Sequence, residues 1–224
     1  MGSGLAGGSG LAGRLFDAVI FDMDGTLVDS TPAVVRAWTT WAEEHGITAE
    51  QLAGNHGMPA ASIIARLLPD AERERALARI VELETTDVGG VVPLPGTVET
   101  LTVLPRERVA IATSCTRPLA EVRIGASEIP RPEVVVTVDD VERGKPAPDP
   151  FLAAARDLGF PPERCLVVED APAGLSAARA AGCATLAVTT TTPRAELEAD
   201  LVVGTLADVR WHVRDGGIEV ALAD

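Results

Sequence analysis

Four short stretches of the 224-residue chain carry side chains able to do chemistry, and each follows a run of apolar residues or a restrained loop. The first is Asp22-Met23-Asp24-Gly25-Thr26, directly after Ala18-Val19-Ile20-Phe21. Two carboxylates at positions i and i+2 beyond a strand can meet one metal ion and one substrate. The second is Thr113-Ser114, at the end of Val109-Ala110-Ile111-Ala112. A hydroxyl and free backbone amides there can bind a phosphoryl oxygen. The third is Lys145, held between Gly144 and Pro146 ahead of Ala147-Pro148-Asp149. The fourth is Glu169-Asp170, after Cys165-Leu166-Val167-Val168. Taken singly, these have plainer readings: Ser114 and Asp170 suit helix N-caps, and Lys145 suits a surface lysine. Taken together, they describe one site. Clustered carboxylates repel unless a cation sits among them, and an all-oxygen set without His or Cys favours Mg²⁺. A carboxylate nucleophile, Mg²⁺ and a lysine facing an anion are the parts of phosphoryl transfer.

These groups converge only if the apolar runs are strands of one parallel sheet, whose carboxyl ends share an edge. The pattern predicts this. Continuous apolar runs suit strands buried on both faces, and further runs occur at Val134–Val136, 184–188 and 201–203. Helical spacing separates them. Residues 97–104 place Val98, Leu101 and Leu104 on one face, 116–125 follow Ser114, 149–158 open with Asp149-Pro150, and 172–181 stop at Gly182. Residues 32–88 break the alternation. They contain helical patterns only, at about 32–45, 60–68 and 71–86, and end in Gly- and Pro-rich turns. The expected architecture is α/β: a Rossmann-like parallel sheet with an inserted α-helical segment. Residues 211–220 read as a terminal strand pair around Asp215-Gly216-Gly217.

Composition narrows the partners. The net charge of −14 repels phosphate backbones and anionic lipid headgroups, so neither nucleic acid nor a membrane surface is an expected partner. With no Tyr, 4 Phe and 3 Trp, no aromatic platform for single strands is expected. Three widely spaced cysteines, Cys115, Cys165 and Cys183, read as buried thiols of a reducing, cytoplasmic setting. The start of the chain, through residue 13, reads as a flexible Gly/Ser-rich leader rather than a signal peptide. A monomer is the default expectation.

DMDGT, the ATS strand end, GKPAPD and VVEDAPAG, in this order, resemble the four motifs of haloacid dehalogenase-like phosphatases. The resemblance spans about residues 15–213. LVDSTPAVVRAW, His56-Gly57 and ERGKPAPDPF are further similar to sugar and polyol phosphatases of that family. The resemblance implies a core of residues 14–31 and 95–224, with 32–94 as a helical cap. It implies that Asp22 is the nucleophile and Asp24 the acid and base. Thr113, Ser114 and Lys145 would bind the phosphoryl group, and Asp22, the Asp24 carbonyl, Asp170 and Glu169 would hold Mg²⁺. The substrate would be a small sugar or polyol phosphate ester, with His56 a candidate contact for a sugar hydroxyl. Two alternatives stand beside this, a sugar phosphomutase or a phosphatase for another metabolite such as phosphoglycolate. The mutase relatives carry a cap histidine where this chain has Val34, and dehalogenase relatives lack an acid at the place of Asp24. Among the remaining candidates, His45 is expected to sit at a helix end, Trp38 and Trp41 to pack, and His212 to be structural.

Overall fold

Six strands form one parallel sheet: β1 (Ala18–Phe21), β4 (Val109–Ala112), β5 (Val134–Val136), β6 (Cys165–Glu169), β7 (Ala184–Val188) and β8 (Leu201–Val203). Their order is β5-β4-β1-β6-β7-β8. The computed structural model describes residues 10–53 and 59–223, so the expectation for His56 lies outside the described residues. The chain starts in the middle of the sheet, moves out through β4 and β5, then returns to the other side of β1. This order places a crevice at the carboxyl ends of β1 and its neighbours, where the winding reverses.

Alternate residues of each strand point to opposite faces, so the continuous apolar runs build two cores. Val19, Phe21, Ile111, Leu166 and Val168 pack with α5 (Thr97–Val103) and α6 (Arg117–Ser127). Ala18, Ile20, Ala110 and Val167 pack with α7 (Asp149–Leu158) and α8 (Pro172–Ala181). The second core is rich in alanine, which lets these two helices approach the sheet closely.

The stretch without strand runs is helical: α1 (Thr31–His45), α2 (Ala49–Leu52), α3 (Ala60–Leu67) and α4 (Asp70–Thr86). It has its own core of Ala37, Trp41, Ile64, Leu68, Ala76 and Ile80. Trp41 is fully buried and its indole N–H donates to the Ala76 carbonyl, 2.9 Å away. Trp38 packs edge-on against Trp41, and the His45 ring stacks on Trp41 at 4.4 Å. These rings pack as their three- and four-residue spacing requires. The chain enters and leaves this segment through a two-residue ladder, β2 (Val28–Asp29) against β3 (Val92–Pro93). Arg36 clamps the exit by bonding Asp87 at 2.7 Å and the Gly89 carbonyl at 2.5 Å.

Three details differ from the sequence expectations. Residues 10–13 are part of the folded body: Gly10 donates to the Asp200 carbonyl and Leu11 is fully buried. One leucine among glycines is enough, because glycines on both sides let the chain turn while the side chain enters the core. The β2–β3 ladder is too short to carry a periodicity. His212 lies exposed on β9 (Val209–Arg214), which pairs with β10 (Gly217–Leu222), so it is not a packing residue. Among the described residues, no helix is long and apolar enough to cross a membrane.

Candidate active site

Asp22 is the first residue beyond β1, and its backbone N–H continues the ladder to the Val168 carbonyl. Its carboxylate is buried and accepts a 2.5 Å bond from the Lys145 ammonium. Lys145 also donates to Glu169 Oε1 at 2.7 Å and lies 4.9 Å from the centre of the Phe151 ring. The other Glu169 oxygen accepts the N–H groups of Asp170 and Ala171, each at 2.9 Å. Asp170 accepts from the Thr26 hydroxyl at 3.2 Å and from the Thr191 hydroxyl. Asp22, Glu169 and Asp170 thus bring one oxygen each to within 4.8 Å of one another, all buried. Three carboxylates face a single ammonium. Burial, together with Glu169 and Asp170, pushes Asp22 well above the usual carboxylate range despite Lys145. Burial and Glu169 push Asp170 up to about 7. Burial alone would lower Lys145, but Asp22 and Glu169 outweigh it and raise it. The protein alone under-neutralises this cluster, and its donors are all hard oxygens. That combination fits a hard divalent cation, with Asp22 and Asp170 as the less saturated ligands and Glu169 behind them.

Asp24 belongs to a different set of contacts. Its Oδ2 meets Arg123 Nη1 at 2.7 Å and the Cys115 thiol at 3.0 Å, while its Oδ1 is buried with no hydrogen-bond partner among the described residues. A tight turn holds it there, with Leu27 N–H on the Met23 carbonyl and Gly25 N–H on the Val28 carbonyl. Arg123, from α6, also reaches Glu84 at 3.3 Å in the last turns of α4. Burial, then Asp24, raises the Cys115 thiol well above its ordinary range, so this thiol is a donor and not a nucleophile. Thr113 is buried at the end of β4, and its hydroxyl accepts the Cys115 N–H at 3.2 Å. Ser114 follows it, half-buried, ahead of α6.

Residues 16–182 match the haloacid dehalogenase-like hydrolase family. The chain belongs to the haloacid dehalogenase-like hydrolases. It is 42% identical over 198 residues to hexitol phosphatase A of Escherichia coli K12, covering 85% of this chain and 91% of that one. It is 35% identical over 189 residues to glycerol-1-phosphate phosphohydrolase 1 of Saccharomyces cerevisiae, covering 78% and 75%. Among solved structures, a hydrolase from Pseudomonas syringae superposes with a TM-score of 0.72 at 30% identity, covering 86% of this chain and 95% of that one.

In this haloacid dehalogenase-like hydrolase, the sequence motifs missed four polar contributors. Thr190 and Thr191 bond the Gly25 carbonyl and Asp170. The signal was available, since a run of four threonines follows the carboxyl end of β7. Arg123 and Glu84 lie inside helices, where a lone charge reads as solvated, and no motif flags them.

Two glycines shape the site. Gly25 has φ +83°, and a Cβ there would lie 2.4 Å from Asp170 Oδ2. Gly174, in the first turn of α8, would place a Cβ only 1.7 Å from Glu169 Oε1. That oxygen is fixed by Lys145, so it cannot simply move aside. Gly174→Ala is expected to displace Glu169 and cut phosphatase activity by at least about tenfold, a 1 Å misplacement being able to cost 10²-fold. It should also lower the melting temperature. Wild-type rates and melting would show that α8 has slack the structure does not display.

Proposed function

We propose that this phosphoric monoester hydrolase is a Mg²⁺-dependent phosphatase cleaving small sugar or polyol phosphates through an aspartyl-phosphate. The observation that carries the reading is the buried, under-neutralised carboxylate cluster with its single lysine at the carboxyl edge of the sheet. The hexitol and glycerol phosphatase relatives support the substrate class. Asp22 would attack phosphorus while the P–O bond to the alcohol breaks, and Asp24 would give its proton to the departing alkoxide. Asp24 would then take a proton from water, which attacks the same phosphorus and releases the Asp22 carboxylate with its electron pair. Lys145, Ser114 and backbone amides at the β4 end would hold the phosphoryl oxygens. Asp22, Asp170 and the Asp24 carbonyl, with Glu169 supporting, would hold a Mg²⁺ that would supply charge neutralisation. The segment 32–94 would serve as a cap that excludes water. A phosphomutase needs a base in the first cap helix, and Val34 offers none.

A phosphate-release screen over hexose, hexitol, deoxyhexose, pentose and glycerol phosphates tests the reading. No turnover of any of these esters would refute it. EDTA is expected to stop activity and Mg²⁺ to restore it; activity without metal would remove the metal from the mechanism.

The metal also predicts a pH signature. Asp170 rises from 3.8 to about 7 on folding, so the folded state binds that proton more tightly than the unfolded chain. Its contribution to stability is present below the lower value and is lost as pH rises through the upper one. Metal-free protein should therefore lose stability across this window. Mg²⁺ binds the deprotonated site, so it should raise the melting temperature more at about pH 8 than at about pH 5. Equal shifts at the two pH values in differential scanning fluorimetry would contradict this.

A further inference from the structure

Arg123 is buried in α6, outside the four motifs, yet it touches the proposed acid directly. Its guanidinium spans two carboxylates that come from separate parts of the chain. Nη1 lies 2.7 Å from Asp24 Oδ2, and Nη2 lies 3.3 Å from Glu84 Oε1 in the inserted helical segment. The Cys115 thiol completes the group, 3.2 Å from Nη1 and 3.0 Å from the same Asp24 oxygen. The side chain of Arg123 is 6% exposed and that of Glu84 is 10% exposed, so both are locked by packing rather than held loosely in solvent. Among the described residues, the polar contacts of the Asp24 carboxylate fall on Oδ2, and Oδ1 has no hydrogen-bond partner.

We propose that Arg123 is a positioning residue for Asp24, holding Oδ2 so that Oδ1 is the atom that delivers and takes the proton, with Glu84 as the anchor of Arg123. This rests on the phosphatase reading above. An arginine does not give up its proton in proteins, so it cannot be the acid itself and acts through Asp24. Its planar fork suits the task, because two carboxylates are engaged from different nitrogens of one rigid plane. Because Glu84 belongs to the inserted segment, the orientation of Asp24 is tied to that segment being seated on α6.

The role separates by leaving group. A sugar or polyol alkoxide needs a proton as it departs, whereas the acetate of acetyl phosphate leaves without one. kcat/KM reports the steps up to loss of the leaving group, which is where the acid acts. Arg123→Met is expected to lower kcat/KM on the best alkyl phosphate by about 100-fold, the low end of a general acid's contribution. On acetyl phosphate the fall should be no more than about threefold, since little proton transfer is needed there. Glu84→Gln should show the same split with a smaller loss, about tenfold on the alkyl ester. Arg123→Lys should recover part of the Arg123→Met loss, because an ammonium can reach Asp24 but cannot span both carboxylates.

Both substrates are measured on the same preparation in a continuous coupled phosphate assay, so a reduced folded fraction cancels in the ratio. Equal losses on the two substrates, or none on either, overturn the inference while leaving the phosphatase reading intact. A wild-type protein that releases phosphate from neither overturns the reading and the inference together.

Discussion

Asp22→Asn is expected to abolish phosphate release, by at least about 10⁴-fold, while leaving the fold in place. The size follows from the role: an amide cannot serve as the attacking carboxylate, and removing a nucleophile leaves only binding and electrostatic effects. The retention of fold follows from the site. Asparagine matches aspartate in shape, and its carbonyl oxygen can still accept from the Lys145 ammonium, whose Nζ lies 2.5 Å from Asp22 Oδ1. The charge that is lost was costly. Burial and two neighbouring carboxylates disfavour an ionised Asp22. A neutral side chain there relieves repulsion, so the metal-free variant should melt no lower than the wild type and is expected to melt higher. Phosphate release at saturating substrate, with circular dichroism and thermal melting on the same sample, tests both halves. Measurable turnover after removal of contaminating activity would sink the nucleophile assignment. Lost activity with lost structure would show instead that the Asp22 charge is needed to fold.

Most of the sheet was legible because it is a parallel sheet. Strands buried on both faces need continuous apolar runs, and Ala18–Phe21, Val109–Ala112 and Cys165–Glu169 are such runs with acidic or hydroxyl residues at their ends. The edge that gathers those ends is a consequence of topology, so motifs scattered along the chain could be expected at one edge from the sequence. Helix α8 was legible for a similar reason, with Pro172 at its start and Gly182, φ +87°, at its stop. What was hidden depends on tertiary contact alone. Val28–Asp29 and Val92–Pro93 pair only because the helical segment brings its two ends back together. Leu11 enters the core from a sequence whose composition reads as linker. Arg123 and Glu84 have no local signature, since burying such charges is favourable only when the partners are already in place. The family resemblance implies the role of Asp24, but nothing local in the sequence points to what holds its carboxylate.

Lys145→Met is the substitution expected to do most damage to both stability and activity. The lysine side chain is 4% exposed and, among the described residues, is the one cation bonded to Asp22 and Glu169. Removing one member of a buried ion pair leaves uncompensated charge and costs on the order of 3–5 kcal/mol. Here two carboxylates lose the same partner, and Asp170 stands close by. The contact with the Phe151 ring does not compensate, since methionine keeps the packing but not the charge. Activity should fall by about 10³-fold, the upper range for losing one preorganised electrostatic contact to a developing transition-state charge. The two losses can be separated. Lys145→Met leaves the cluster one positive charge poorer, so Mg²⁺ should stabilise the variant more than it stabilises the wild type. Adding Glu169→Gln removes one of the stranded charges and should recover part of the melting temperature. It should not recover activity, because the phosphoryl group still lacks the lysine. If the double variant regains both, Lys145 acts only by balancing Glu169. If it regains neither, the cost of Lys145→Met lies in the loop around Pro146 and not in the charges.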